Sequence, residues 1–468
     1  MKSTLNAVDF EKGMRPSFVV FSMARSTVFF IIQVLALLPV QGGEVSLLSV
    51  DRSDPKILRV KVSPVKASAT GLLEVIESST GHCVKTLHAG MFSKGQTFLV
   101  KTGEKLPPGK YRIRYREDIS ISPIDSLVPS GNRTWTNPTD FVITANALFV
   151  LDSGRAPPRE VELDKPLDPA VDEQEKGTAF IYKFHHDKTP DVSFGDEGRI
   201  GPLLGPRWDK LSRWSYHGVH CITADQDGKV YLSSIYHDVL IFDASGRKLE
   251  ESIGGWDSDP LGPVCTTWVN STAMGPENRI YIPSSYNILR VYDRTKKGFA
   301  GILYSAALPN GIGVDRVITS DGKGTFYLIN RLGHVEKFTD TGKEIKQGYF
   351  SDSSVQLVNP TGPSASGDLI WVASHGGAPL WDSDAGEVAL FWDTGDEIQM
   401  VERYGSPGIT ADKVQFMNPS SLVQTPDHLE LWVVEDGMIN EEGPPGNARI
   451  RKFKIASARS EEIAVEVQ

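Results

Sequence analysis

The sequence predicts an all-β protein, in which an N-terminal β-sandwich is followed by a six-bladed β-propeller. A unit of about four short strands recurs from residue 135 onward, and the part before it alternates in hydrophobicity without a helical period. The composition agrees, because 43 Gly and 29 Pro among 468 residues suit a fold with many turns. A hydrophobic content of 40% is enough for a packed core.

Charge and motif content narrow the function classes. The chain has 59 acidic and 49 basic residues, a net charge of -10, which disfavours nucleic acid as a partner. It lacks a Gly-x-Ser-x-Gly elbow, paired-Cys metal spacing and a phosphate-binding glycine loop, so nucleophilic catalysis has little support. Cys221 lies in one predicted blade and Cys265 precedes the next, so the two can form a disulfide and leave Cys83 single. Unpaired buried thiols are an equal alternative.

Residues 1–43 have the features of a leader and signal peptide. Arg25 precedes an apolar run, residues 28–38, that is too short for a comfortable membrane span, and small residues follow it. The start that gives an ordinary signal peptide is Met23, and an uncleaved anchor is the alternative. The sequence therefore predicts a secreted or periplasmic protein with no membrane span after signal cleavage.

Residues 44–122 read as a β-sandwich. Five strand candidates, separated by turn residues, cover residues 57–62, 72–77, 83–87, 96–100 and 111–116. The segments 73–77, 84–87 and 106–111 resemble the Ig-like domain of flagellar hook-cap proteins, without its central Trp-Asp-Gly. That resemblance implies a spacer or adhesive module. Residues 123–134, rich in Pro, Ser and Gly, are predicted to be a linker.

The repeating unit is clearest at residues 217–254. Four strands are predicted at 219–224, 229–233, 239–243 and 248–253, with turns at Asp225–Gly228 and Ala244–Arg247. A lone meander of this kind leaves two apolar faces and two edges exposed. Neighbouring units must therefore cover it, as they do in a propeller.

The unit recurs through residues 135–468. The second strands are predicted at residues 147–150, 229–232, 279–282, 325–328, 369–372 and 430–433. An aromatic residue near the end of each third strand recurs 46 to 61 residues apart, a spacing that we obtain from the numbering of Phe184, Phe242, Tyr292, Phe338, Trp392 and Phe453. The pattern predicts six blades. Residues 450–455 and 462–467 are expected to finish the sixth.

The blade openings resemble NHL-repeat propellers. They include Asn137-Pro138-Thr139, Asn359-Pro360-Thr361-Gly362 and Asn418-Pro419-Ser420, and the signals after second strands include Glu435-Asp436-Gly437. No blade carries the complete NHL consensus, so a general six-bladed relative is the alternative to a strict member. The resemblance implies a propeller over about 320 residues.

The connecting loops should be sorted between two faces. Loops from second to third strands, and from fourth strands to the next blade, emerge on one face, which we call the long-loop face. It is predicted to carry the segments 153–177, 196–216, 255–269, 374–387, 406–415 and 436–447. Long loops on a rigid frame commonly carry function. Five tryptophans on this face are candidate ligand-binding residues for a peptide or sugar, although each can instead pack loops together: Trp208, Trp214, Trp256, Trp268 and Trp381.

Two kinds of metal site are conceivable where the long-loop face surrounds the mouth of the propeller's central channel. Imidazoles suit zinc, and the candidates are His217, His220, His237 and His375. Peptidyl-hydroxyglycine amidating lyases are similar in holding zinc by His on such a propeller. Calcium prefers oxygen ligands, and the candidates at blade starts are Asn137, Asn270, Asn359 and Asn418. Gluconolactonase-type six-bladed hydrolases are similar in ringing one ion with Glu, Asn and Asp.

Each metal reading has a structural alternative. Loop histidines commonly satisfy their hydrogen bonds locally, and a repeated Asn can cap the turn that enters each inner strand. The sequence therefore favours an exported binding or scaffold protein that holds a protein, peptide or glycan on the long-loop face. A metal-dependent lyase or lactone hydrolase at the channel mouth is the alternative, and zinc or calcium would be its cofactor.

Overall fold

The computed structural model shows an all-β chain, and its described residues contain strands and turns but no helix. No described segment is therefore a helix long and apolar enough to span a membrane. The described residues are 46–54, 56–101, 106–129, 133–153, 179–203, 219–234, 239–253, 271–284, 288–296, 302–307, 317–330, 333–351, 357, 360–377, 382–407, 414–416, 418–435 and 448–467. The predicted leader, residues 1–43, lies outside them.

Among the described residues, six strands precede the repeats. They are β1 (Leu48–Asp54), β2 (Ile57–Val62), β3 (Ser68–Glu77), β4 (Cys83–Ser93), β5 (Thr97–Lys101) and β6 (Gly109–Leu127). Four of the five strand candidates predicted in this region lie within β2, β3, β4 and β6, and the fifth, 96–100, overlaps β5 except at its first residue. In β2 the alternation is visible, because Leu58, Val60 and Val62 are buried while Arg59 and Lys61 are exposed.

The repeats contain strands β7 to β31. Blade 1 consists of β7 (Pro138–Ile143), β8 (Leu148–Asp152), β9 (Ala179–Phe184) and β10 (Arg199–Leu203). Blade 2 consists of β11 (Val219–Ala224), β12 (Val230–Ser234), β13 (Val239–Phe242) and β14 (Lys248–Ile253). Blade 3 consists of β15 (Ala273–Met274), β16 (Arg279–Ser284), β17 (Ile288–Asp293) and β18 (Ile302–Ala307).

The remaining blades follow the same order. Blade 4 consists of β19 (Val317–Ser320), β20 (Thr325–Ile329), β21 (Val335–Asp340) and β22 (Ile345–Phe350). Blade 5 consists of β23 (Pro360–Ser366), β24 (Leu369–Gly377), β25 (Asp382–Asp393) and β26 (Ile398–Tyr404). A short parallel pair, β27 (Ser406–Pro407) with β28 (Gln415–Phe416), precedes β29 (Pro419–Gln424), β30 (Glu430–Glu435) and β31 (Arg449–Val467).

The blades form a closed ring. The first strands contact one another in the cyclic order β7, β11, β15, β19, β23, β29 and back to β7. Six hydrophobic clusters, one between each pair of neighbouring blades, fill the spaces between the sheets. Residues 369–373 of β24 are consequently buried on both faces of the sheet. The predicted β-propeller is confirmed, with all six second strands and third-strand aromatics where the sequence placed them.

The sixth blade is closed by a strand from the N-terminal side of the chain. β31 pairs with β30 through Arg449–Lys454 and, on its other edge, with β6 through residues 119–127. The strand order of this blade is thus β29, β30, β31 and β6. Because the first and last parts of the chain share one sheet, the ring cannot open without breaking that pairing.

Two expectations about this region are wrong. The predicted linker, residues 123–134, begins inside β6, which continues to Leu127. Residues 462–467 leave the propeller and pair with residues 109–114 instead of finishing the sixth blade. Both errors arise because β6 and β31 are 19 residues long, and each continues from one sheet assembly into the next.

Beyond the propeller, the two long strands contribute to a second unit, which we call the flanking module. It comprises residues 46–117 and 459–467, with strand order β31, β6, β3, β4 in one sheet and β1, β2, β5 in the other. The two sheets share one core that includes Val60, Val75, Phe92, Ile113 and Val465. The C-terminal residues therefore complete a core that the N-terminal sequence begins.

Candidate functional site: the central channel and the faces of the ring

The first strands of the blades surround a central cavity of about 1140 Å³. Side chains link the first strand of each blade to that of the next, and five of these links are hydrogen bonds. In four of them a side-chain oxygen accepts from a backbone N–H of the neighbouring blade: Asp140 Oδ2 from Ile222 at 2.8 Å, Ser271 Oγ from Ile318 at 3.0 Å, Thr319 Oγ1 from Ala365 at 3.0 Å, and Ser364 Oγ from Gln424 at 2.9 Å. In the fifth, Ser421 Oγ donates to Asp140 Oδ1 at 2.7 Å. Between blades 2 and 3 the contact is weaker, with Cys221 Sγ 3.9 Å from Thr272 Oγ1. We call this ring of contacts the polar belt.

Asp140 is the one carboxylate of the polar belt. Burial raises its pKa to about 6, although bonds from Ser421 Oγ and from the backbone N–H groups of Ile222 and Phe141 favour the charged form. Cys221, on the neighbouring blade, is a free and buried thiol whose pKa burial raises to about 12. The polar belt therefore connects the inner strands of neighbouring blades, and the buried Cys221 thiol is unreactive.

A glycine permits the close approach of blades 5 and 6 around the channel. Gly362 in β23 has a φ of +32°, and a Cβ there would lie 2.2 Å from Ser421 Cα. No side chain can occupy that space without moving the backbone. The glycine of the Asn359-Pro360-Thr361-Gly362 opening is thus explained by packing.

The flanking module is docked on the face opposite the long-loop face. Cys83 N–H donates to Pro426 O at 2.8 Å, and Arg114 Nη2 donates to Asp427 O at 2.7 Å. Lys85 Nζ lies 2.8 Å from Asp368 Oδ2 in the turn of blade 5. These partners belong to turns between first and second strands, so we call this side the turn face. Residues of the module, including His82 and Cys83, line the same cavity as the first strands.

The predicted long-loop face is where the connections between strands are longest. The four longest connections outside the described residues are 154–178, 204–218, 254–270 and 436–447. Each attaches to the end of a second or a fourth strand, and these ends lie opposite the turn face because neighbouring strands are antiparallel. Three predicted loops are partly wrong: 196–216 contains β10, 374–387 forms ladder pairs between β24 and β25, and the two ends of 406–415 pair as β27 and β28.

Most predicted site residues lie outside the described part of the chain. This holds for Trp208, Trp214, Trp256, Trp268 and Trp381, and for His217, His237, Asn270 and Asn359. His220 is in β11 and His375 is in β24, but only their strands are described. The tryptophan surface and the zinc site therefore stay predictions.

Asn137 and Asn418 are the two described members of the predicted calcium set. Each directly precedes the first strand of a blade. Asn418 has a φ of +46°, a conformation that Asn adopts more readily than most residues, and Asn137 exchanges backbone bonds with Asp152 Oδ1 and Ser153 N–H. The conformation of Asn418 agrees with the alternative that these residues shape the entry into the inner strand, whereas Asn137 Oδ1 is buried and makes no hydrogen bond within the described part of the chain.

Comparison with known proteins finds propellers at low similarity. No protein-family model and no curated protein matches the chain. Among solved structures, the chain is similar to the RRP9 WD40 repeats (12% identity, 73% of this chain and 97% of that one, TM-score 0.40) and to U3-55K (12% identity, 72% and 98%, TM-score 0.37). It is also similar to Raptor of Chaetomium thermophilum (11% identity, TM-score 0.37), covering 86% of this chain and 27% of that one.

These similarities carry no argument about activity. The fold assignment rests on the closed order of first strands and on the six clusters between blades. The NHL and hook-cap resemblances have no family match, so they stay hypotheses about finer classification.

We expect the purified chain to carry neither zinc nor calcium in stoichiometric amount. The backbone contacts of Asn137 and the backbone conformation of Asn418 need no ion. Elemental analysis of protein purified without chelators checks this expectation. One ion per chain that is lost in His217→Ala, His375→Ala or Asn359→Ala would contradict it and favour the enzyme alternative.

Proposed function

We propose that the chain is a binding or scaffold protein whose long-loop face holds a protein, peptide or glycan ligand. The observation that carries the proposal is the arrangement of the two faces. The flanking module covers turns of blades 5 and 6 on the turn face, whereas the longest connections attach to strand ends on the opposite side. A rigid ring with variable loops on its open side is the usual arrangement of a binding surface.

The closed ring supports the same proposal. A binding loop keeps its geometry only when the strands that carry it do not move relative to one another. Here the polar belt joins the inner strands, and β6 joins the two ends of the ring. Strand ends on the long-loop face are thus fixed around one axis.

Finer assignments belong to the same proposal. The flanking module is a β-sandwich of Ig-like type, supported by its two sheets and their shared core. It acts as a spacer. The protein is exported, supported by Arg25 and the apolar run 28–38.

A peptide-display library provides the direct test, with the full chain as bait. Peptides selected on the native chain should bind at the long-loop face. We therefore expect Trp208→Ala, Trp214→Ala or Trp256→Ala to weaken them by about 30-fold, since a central aromatic residue commonly contributes about 2 kcal/mol to an interface. The matched control is Gln226→Ala with Lys323→Ala, two exposed residues in turns of the turn face.

The outcomes separate the two faces. Loss of binding in the tryptophan variants, with binding retained in the control, supports the proposal. Selection of no peptide family, or equal loss in the control, would overturn it. A glycan array probed with the same four variants extends the test to sugars.

A further inference from the structure

Exposed basic side chains follow the middle strand of the outer sheet of the flanking module. That strand is β2, which lies between β1 and β5. Leu58 and Val60 are buried in the core of the module, so Arg59 and Lys61, which alternate with them, face solvent on the other side. Alternate residues of a strand are roughly 6.6 Å apart, and the two cations therefore stand side by side along β2.

Basic residues in two turns extend this row. Lys56 is exposed in the turn between β1 and β2, and Lys94 is exposed in the turn between β4 and β5. The Cε atom of Lys61 lies 3.8 Å from the position that a Cβ on Gly95 would take, so the Lys61 side chain lies beside the turn that carries Lys94. We call the surface formed by these four residues the basic face: Lys56, Arg59, Lys61 and Lys94.

Two carboxylates lie at one end of the same sheet. Asp51 Oδ1 accepts from Ser53 N–H at 2.8 Å, and Asp54 Oδ1 accepts from Lys56 N–H at 2.9 Å. Asp51 is also the ladder partner of Arg59, so it offsets part of one positive charge. Within the described part of the chain, none of the four side chains of the basic face forms a salt bridge. Most of the positive charge of the basic face is therefore available to a partner.

The charge of the chain is divided unevenly between its two parts. The flanking module, residues 46–117 and 459–467, contains 14 basic and 9 acidic residues, which gives a net charge of +5. Residues 118–458 contain 31 basic and 47 acidic residues, which gives a net charge of -16. An anionic partner is therefore attracted by the module and repelled by the propeller.

The basic face is on the side of the module that points away from the propeller. The sheet that contains β3 and β4 contacts blade 5, where Leu72 and Ala89 pack in one cluster with Trp371 and Leu390. The sheet of β1, β2 and β5 packs on the other side of the module core. A partner on the basic face thus leaves the long-loop face of the propeller uncovered.

The shape of the basic face favours a flat partner. Its residues stand on a sheet and in turns, and they do not line the central cavity. Leu99, the ladder partner of Arg59, is 62% exposed on the same surface. A lipid bilayer fits both features, because anionic headgroups attract the cations and the apolar region beneath them accepts a leucine. A soluble polyanion or an acidic protein surface would use the cations alone.

We propose that the basic face binds the surface of an anionic lipid bilayer, with Leu99 inserted among the lipid headgroups. The acidic propeller is repelled by the same bilayer, so the chain binds in one orientation, with the long-loop face directed away from the lipid. This surface is separate from the long-loop face. Failure of either proposal therefore leaves the other standing.

Sedimentation of the full-length chain with vesicles tests the proposal. We expect binding to vesicles of phosphatidylcholine with one third phosphatidylglycerol, and weaker binding as salt is added. Arg59→Gln with Lys61→Gln should weaken this binding by about 30-fold, because each cation at an anionic leaflet contributes about 5-fold. The matched control is Arg247→Gln with Lys346→Gln, which removes two propeller cations whose side chains are 78% and 65% exposed.

Two further variants keep the test independent of folding and of other partners. Lys56→Gln with Lys94→Gln changes only turn residues and should also weaken vesicle binding by about 30-fold. Leu99→Ser should weaken vesicle binding by about 10-fold and leave binding to dextran sulfate, a soluble polyanion, unchanged. Circular dichroism confirms that each variant is folded, and residues 1–43 are the same in all of them.

The outcomes are distinct. Binding to anionic vesicles that is lost in the two basic-face variants and retained in the control supports the proposal. Equal sedimentation with vesicles of phosphatidylcholine alone, or equal loss in the control, would overturn it. Binding to dextran sulfate or to an acidic peptide without binding to vesicles would also overturn it and would identify a soluble partner instead.

Discussion

Replacing Glu74 with alanine is expected to lower the free energy of unfolding by about 3–5 kcal/mol. The carboxylate is fully buried and is the acceptor for Arg114, Arg116 and His428. Without it, two buried guanidinium groups lose their counterion and cannot reach water. Urea denaturation followed by tryptophan fluorescence measures the change.

The matched control lies on the same sheet. Glu462 pairs with Arg112 at 2.7 Å, but both side chains are about one third exposed. Glu462→Ala should therefore cost less than about 1 kcal/mol, as surface ion pairs usually do. A Glu74→Ala chain that unfolds at the same urea concentration as Glu462→Ala would contradict the role given to the buried Glu74 carboxylate.

Replacing Ile121 with aspartate is expected to cost more than about 3 kcal/mol and to destabilise the ring at its closure. Ile121 is 5% exposed and packs in the cluster between blades 5 and 6, on the part of β6 that pairs with β31. A carboxylate there would be buried without a partner. Thermal unfolding monitored by circular dichroism records the loss.

Ile124 provides the comparison on the same strand. It is 50% exposed, so Ile124→Asp should change stability by no more than about 0.5 kcal/mol. If the two substitutions have equal effects, β6 is not the buried closing strand that the structure shows.

The repeat architecture could be predicted from the sequence because each blade is covered on both faces. Second strands such as residues 325–328 and 369–372 are then short apolar runs with an aromatic residue, and their spacing identifies the blades. Third-strand aromatics such as Phe338 and Trp392 repeat for the same reason. Local pattern was enough where every unit has the same environment.

The closure could not be predicted in this way. The sequence predicts that Pro123 begins a linker, but Pro123 lies in β6 at a place where this strand is the outer edge of its sheet. An edge strand tolerates proline because one side needs no ladder bond, and a register shift opposite Phe453 accommodates it. Pro123 therefore lies in an edge strand. Local composition alone does not distinguish an edge strand that contains proline from a loop.

The residues of the polar belt and of the buried charge pair could not be identified from the sequence. Asp140, Ser364 and Ser421 lie inside first strands that also contain other small polar residues, so their role in the polar belt has no distinct signal in the sequence. The pairing of Glu74 with His428 spans 354 residues and carries no periodic signal. Long-range charge pairing of this kind follows from the fold and cannot be read before it.

Disulfide trapping across the closing strands tests the central claim most directly. In a chain without its native cysteines, Ser120→Cys with Ala456→Cys should cross-link on mild oxidation, because these residues are direct partners in the β6–β31 ladder. Ser126→Cys with Ala456→Cys should not, since Ser126 pairs with Arg451, roughly 16 Å further along the strand. A mobility shift on a non-reducing gel for the first pair alone is the result predicted by the closed ring. Absence of that shift, or equal cross-linking of both pairs, would contradict it.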